Sequence, residues 1–330
     1  MPTPSRFRDR RGLSLSVAAI VALLLAAAGV RLLDGAPQQV AVRAPVVTAP
    51  FVDEVHASLP TESRTETAAP SIPASAVRIF GDRRFLVAYY GTAGTGALGV
   101  LGETTPDQMH QRLRRASGKF RRPSQPIQPV YELIVTIADA APGHDGDYSH
   151  DIARADVARY VSAAKRNGAL LLLDLQPGRS DFLEVARRWA WALRSPHVGL
   201  ALDPEWRMAT GEVPGRTIGS VDAAEINRVT SWLTTLQVRH GLPQKLFVLH
   251  QFRADMIDRI GSVQPRPNLA MVQHVDGFGT PSQKRATFDA VAQPQKFRMG
   301  FKLFYDEDVD RMGSSEVHEL RPKVRFVSFQ

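Results

Sequence analysis

The amino-acid sequence predicts an α/β protein whose residues 77–330 close into a (β/α)8 barrel of the TIM type. From residue 77 onward, short apolar runs alternate with helical segments, the pattern of β/α units around a parallel sheet. Eight such runs occupy about 250 residues, the number and size that a closed barrel needs. Polar residues collect at the C-terminal ends of the runs, the face on which such barrels build their sites. The N-terminal ends carry mostly Arg, Lys, Pro and Gly.

Two segments precede the barrel. Arg6, Arg8, Arg10 and Arg11 lead into an apolar run over 13–30, the basic and hydrophobic parts of an export signal. At 18 residues the run is at the lower limit for spanning a bilayer. Ala26, Ala27 and Ala28 offer small residues for cleavage, and Arg10-Arg11-Gly12-Leu13 is similar to a twin-arginine signal. Residues 1–33 therefore read as a signal peptide or a membrane anchor, with the N-terminus in the cytoplasm. The remainder is expected outside the membrane, anchored through 13–30 or secreted after cleavage. Residues 34–76 are rich in Pro, Ala, Thr, Ser and Val without sustained periodicity, and read as a flexible, disordered linker.

Strands are expected at 85–90, 132–137, 169–175, 198–203, 245–250, 269–274, 299–304 and 325–329. Helical segments fall between them, at about 107–117, 151–167, 181–194, 222–240, 253–260, 281–291 and 307–312. Asp181 is placed to cap one helix start, and Gly168 and Gly241 stand where helices end. Gln330 follows the eighth strand directly, so the barrel is expected to lack its last outer helix. A doubly wound open sheet is the competing architecture, and it would place a glycine-rich phosphate loop after its first strand. Gly91-Thr92-Ala93-Gly94-Thr95-Gly96 stands there. Its spacing is neither Gly-x-Gly-x-x-Gly nor Gly-x-x-x-x-Gly-Lys-Ser/Thr, so it reads as a tight loop at the barrel mouth.

Composition removes several classes of function. With no cysteine in 330 residues there is no disulfide framework, thiolate metal site or Cys nucleophile. Of the net charge of +8, residues 1–33 hold +4 and residues 34–77 hold −3, which leaves +7 on the barrel. Its densest part is Arg112, Arg114, Arg115, Lys119, Arg121 and Arg122. No nucleic-acid-binding motif accompanies this cluster, so no nucleic-acid partner is expected. It reads as a solvated helix face and loop, or as a contact for an anionic envelope polymer or headgroups.

The sharpest chemical feature is the stretch 197–206, His-Val-Gly-Leu-Ala-Leu-Asp-Pro-Glu-Trp. Residues i and i+2 of a strand share a face, so Gly199, Ala201, Asp203 and Glu205 point together. The two acids would stand roughly 6–7 Å apart in the mouth by strand rise. Other strands deliver polar residues to the same rim: Tyr89 and Tyr90, Asp139, Asp174 and Gln176, His250 and Gln251, and Gln273, His274 and Asp276. The seventh adds Lys302, Tyr305 and Asp306, and the eighth Ser328. Asp174 follows three leucines and Lys302 sits between Phe301 and Leu303, and charges in such buried runs need partners. No His-x-His or His-Glu-x-x-His spacing occurs, so no metal and no cofactor is expected.

Glycoside hydrolysis commonly uses two carboxyl groups, one kept protonated for the leaving oxygen and the other ionised. Adjacent acids push their pKa values apart in a poorly solvated mouth. Glu205 and Asp203 form such a pair, with Glu205 nearer the rim and better placed as the acid. Trp206, Tyr89, Tyr90, Phe278 and Tyr305 would offer platforms for sugar rings, and Gln176, His250, Gln273, His274, Lys302 and Asp306 polar contacts.

An Asp-x-Glu ending on the fourth strand of a β/α barrel resembles that of the chitinase-like and muramidase-like glycoside hydrolases. The resemblance implies that Glu205 is the proton donor, and that Asp203 orients a substrate acetamido group or steadies positive charge. Where the chitinase pattern has further acids on that strand, this chain has Gly199 and Ala201. Where the muramidase pattern has an Asp on the first strand, it has Tyr90-Gly91. Asp276 or Asp174 is therefore the alternative second carboxylate. The barrel also resembles secreted proteins of high-GC actinobacteria, which implies a cell-envelope role. The expected activity is hydrolysis of an envelope polysaccharide. The alternatives are a non-catalytic barrel that binds such a glycan and a metal-dependent hydrolase using His250, His274 and Asp276.

Overall fold

A computed structural model of the protein describes residues 78–330; the segments read at 1–33 and 34–76 lie outside the described residues. Eight parallel strands form one closed sheet: β1 (Phe85–Gly91), β2 (Ile127–Ala138), β3 (Leu170–Leu175), β4 (Val198–Leu202), β5 (Lys245–Gln251), β6 (Leu269–Val275), β7 (Arg298–Leu303) and β8 (Val324–Phe329). They pair in chain order, and β1 pairs with both β2 and β8, which closes the ring. A short antiparallel strand, Ser149–Asp151, adds to the end of β2. Outside the ring lie α1 (Pro106–Gly118), α2 (Arg154–Asn167), α3 (Phe182–Arg188), α4 (Ala190–Leu193), α5 (Ala223–Arg239), α6 (Pro281–Val291) and α7 (Ser314–Glu319).

Local chemistry sets the helix ends. Thr105 with Gln108, and Thr280 with Gln283, form capping boxes, each followed by a proline that is preorganised for the first turn. Asp181 accepts from the Leu183 amide and Asp222 from the Ala224 amide, both ordinary caps. Gly168 closes α2 in the left-handed conformation.

Strand alternation divides the core in two. Along β1, Phe85, Val87 and Tyr89 pack against the outer helices, while Leu86 and Ala88 point into the ring. The N-terminal half of the interior is apolar, filled by residues such as Leu86, Val130, Leu172, Leu246, Val272 and Phe326. Ile79 joins them, its amide bonded to Gln244 Oε1 at 3.1 Å, and so closes that end. The C-terminal half is polar, and there the fold positions its chemistry.

Seven strands match expectation to within a residue at each end, whereas β2 begins earlier, at Ile127, because Pro129 conceals its start. Two expected helices are absent. Over 253–260 the chain makes 3-10 turns at Ala254–Met256 and Ile260–Ser262. Ile257–Asp258 between them pairs with Val221–Asp222, and Arg259 takes a positive φ of 53°. Over 307–312, Asp308 accepts from the Phe304 and Gly279 amides and holds the segment as a loop, so the helix forms later, as α7. Among the described residues no helix is long and apolar enough to cross a membrane.

Candidate active site

Small residues make room in the ring, and the polar layer fills it. A Cβ on Gly199 would meet the Leu246 carbonyl oxygen at 2.3 Å, so β4 approaches β5 as closely as only glycine permits. Beyond Ala201 the strand ends at Leu202, and Pro204 turns Pro204–Trp206 into a single 3-10 turn. The strand-based spacing expected for Asp203 and Glu205 therefore does not apply. Asp203 is buried at the end of β4, and Glu205 is carried on the turn, half-buried like Trp206.

At the centre stands His250, fully buried. It donates from Nδ1 to Asp276 Oδ2 at 3.0 Å and from Nε2 to Glu132 Oε1 at 3.2 Å. Lys302 Nζ lies 3.5 Å from Asp276 Oδ2, bonds Gln330 Oε1 at 3.3 Å and sits 3.7 Å from the centre of the Tyr90 ring. Gln176 donates to the Tyr90 hydroxyl at 3.3 Å and accepts from the Ala138 amide. His274 shares a 2.7 Å hydrogen bond with Ser328 Oγ and stacks on Phe326. Two cations, His250 and Lys302, thus face the carboxylates of Glu132 and Asp276.

Further carboxyl oxygens are left over. Oδ1 of Asp203 is buried without a hydrogen-bond partner among the described residues, and the buried Asp174 carboxyl has only the nearby Tyr90 hydroxyl, outside ordinary hydrogen-bond geometry. An ionised carboxylate in that state is costly, and the electrostatics follow. Burial pushes Asp174 up, with Glu132 adding to the effect against His250, the Tyr90 hydroxyl and Lys302. Asp203 is pushed well above the usual carboxylate range, by burial first and then by Asp174, Glu205 and Asp276. Glu205 is pushed up to about 7 by burial and by the neighbouring Asp276. Asp276 goes the other way: burial would raise it, but Lys302 and the hydrogen bond from His250 hold it well below its ordinary value. Burial would likewise discharge His250, yet Asp276, Glu132 and Asp174 keep it charged. His274, buried beside that cation, is held neutral.

The structure brings together Tyr90, Asp174, Gln176, Asp203, Glu205, His250, His274, Asp276 and Lys302 of the residues read from the sequence. It separates others. Tyr89 and Tyr305 meet on the outer wall, hydroxyl to hydroxyl at 3.5 Å. Gln273 also points outward, bonding Gln251 Oε1, the Val291 carbonyl and the Gln293 amide. Asp306 is exposed on the loop after β7. The sequence reading missed Glu132 as a site residue. With β2 starting at Ile127 it lies mid-strand opposite Tyr90, and its signal was the one used for Asp174, a lone acid in an apolar run.

His250, His274 and Asp276, the set proposed for metal-dependent chemistry, each bond to the protein, with His274 Nδ1 and Asp276 Oδ1 left without a partner among the described residues. Among the described residues no group of three or more His, Asp or Glu side chains is arranged to hold a metal ion. The chain matches no family model and no curated protein.

Proposed function

We propose that the barrel is a glycoside hydrolase acting on a cell-envelope polysaccharide, with Glu205 as general acid and Asp276 as the ionised carboxylate. One observation carries the reading. Two carboxyl groups close enough to influence each other are driven in opposite directions, Glu205 up to about 7 and Asp276 well below the ordinary range. Such a divided pair is what glycosidic cleavage requires, and it favours Asp276 over Asp203 as the second carboxylate. As the bond between the anomeric carbon and the leaving oxygen breaks, its electron pair goes to the oxygen, which takes the proton of Glu205. Asp276 opposes the positive charge that grows on the sugar. Water then bonds to the anomeric carbon and gives its proton to the Glu205 carboxylate, which restores the acid. Asp203, kept protonated, is a hydrogen-bond donor, and Trp206 on the rim is a platform for a sugar ring.

The export signal read at residues 1–33 and the linker at 34–76 motivate the choice of an envelope substrate and of a barrel outside the membrane, tethered or released. A second reading, a catalytically silent barrel that binds the same glycan, is favoured by the closeness of the mouth. Asp276 is 7% exposed and Asp203 2%.

The test is release of reducing ends from purified envelope glycans by the full-length chain and by its Glu205→Gln variant. Loss of about 10²-fold or more in the variant supports the acid role. Equal release by both removes Glu205 from it. Glycan binding by both without release establishes the silent barrel.

A further inference from the structure

We propose that the outer wall of the barrel carries a binding site for a phosphodiester-linked anionic polymer, in a notch between β1 and α1. The notch is an open, shallow depression of about 260 Å³ lined by Tyr89, Arg112, Arg115, Ala116 and Lys119. Arg112, Arg115 and Lys119 recur at helical spacing along one face of α1 and its C-cap, and with Arg112 held by Glu103 the notch offers the cations of Arg115 and Lys119. No lining residue is acidic, and the nearby carboxylate, Glu103, is paired with Arg112.

Tyr89 is the aromatic residue of the lining. Tyr89, 4% exposed, places its hydroxyl 3.5 Å from that of Tyr305, whose ring stacks on Phe329 with centroids 5.4 Å apart. Arg311 lies over the other part of this wall, 4.4 Å from the Tyr305 ring. Guanidinium groups match the planar fork of phosphate oxygens, and lysine adds a mobile point charge.

Two features select a polymer over a single anion. The basic row continues past the helix end to the exposed Arg121 and Arg122, so one phosphate in the notch would have cationic neighbours along a track. The described part of the chain carries +7 in total, which draws a polyanion from a distance. The notch lies outside the ring, and the inference stands apart from the hydrolase reading.

Binding of soluble poly(glycerol phosphate) to the full-length chain, followed by titration calorimetry at low and high salt, tests it. Neutral dextran and phosphatidylglycerol vesicles serve as comparisons. The Arg115→Gln, Lys119→Gln double variant removes two exposed notch cations. The Arg216→Gln, Arg239→Gln variant removes equal charge from the loop after β4 and the end of α5, elsewhere on the barrel. The expected result is a loss of affinity of about tenfold or more in the notch variant, and less than about twofold in the other. Equal losses in the two variants would show diffuse attraction by net charge and overturn the site. No binding of the polymer, or binding of vesicles alone, overturns it as well.

Discussion

Gly300 and His274 are fitted to one another across β6 and β7. A Cβ built on Gly300 would stand 2.2 Å from His274 Nδ1, far inside van der Waals contact. The imidazole has no easy escape, because it stacks on Phe326 at 4.8 Å, meets the His250 ring at 5.2 Å and is tied to Ser328. Gly300→Ala therefore overpacks the centre of the ring. The expected cost is about 1–3 kcal/mol, which lowers Tm by about 2–12 °C in a domain of this size. A scanning calorimetry comparison of the two proteins decides it; an unchanged Tm would show that the His274 ring moves freely.

Glu205 sets the upper limb of the pH profile. As general acid it must carry its proton, and its pKa is pushed up to about 7 by burial and Asp276. Activity should hold below that value and fall as pH rises through about 7. The acidic limb should lie below the ordinary carboxylate range, because Lys302 and His250 keep Asp276 ionised there. Measuring kcat/KM against pH on a released-sugar assay gives both limbs. A basic limb near pH 10 would assign the proton to another group.

Much of this arrangement was legible before the structure, and what was not had a local cause. Alternation of apolar runs and helices placed the eight strands, since a parallel sheet buried on both faces leaves a long apolar signature. Asp174 and Lys302 betrayed the interior by standing as charges in such runs. Facing direction was less legible at strand ends. Tyr89 and Gln273 share their strands with Tyr90 and His274, and one residue of phase separates the outer wall from the ring. Glu205 was read as continuing a strand that Pro204 in fact ends. The opposed titration of Glu205 and Asp276 depends on Lys302 and His250, brought there from other strands, and no spacing within one segment records it.

Asp276 should govern acid stability. Its folded pKa is depressed, so between that value and its unfolded one the unfolded chain binds more protons. The stabilisation is present above about pH 4 and is lost as pH falls. Asp174 and Asp203, whose pKa values are raised, contribute in the opposite sense, losing stability as pH rises. Asp276→Asn leaves His250 and Lys302 to share Glu132, and the cost at neutral pH should be about 3–5 kcal/mol. Urea unfolding between pH 2 and 7 should show a shallower acid slope in the variant. Parallel slopes would mean that another carboxylate carries the acid sensitivity.

Lys284 and Asp308 fix the loops that follow β6 and β7. Lys284 Nζ lies 2.9 Å from Asp308 Oδ1 and donates to the Gly277 and Lys302 carbonyls at 2.7 and 3.0 Å, with both side chains buried. Asp308 in turn accepts from the Gly279 and Phe304 amides. Removing one partner strands the other charge in the protein interior, so Lys284→Met should cost about 3–5 kcal/mol. Asp308→Asn keeps an acceptor for one amide while removing the charge. Adding it to Lys284→Met should therefore recover part of the loss, and the double variant should be more stable than the sum of the single effects predicts. Unfolding free energies for the four members of the cycle test this. Strict additivity would show that the loops are held by the amide contacts alone and that the ion pair contributes nothing.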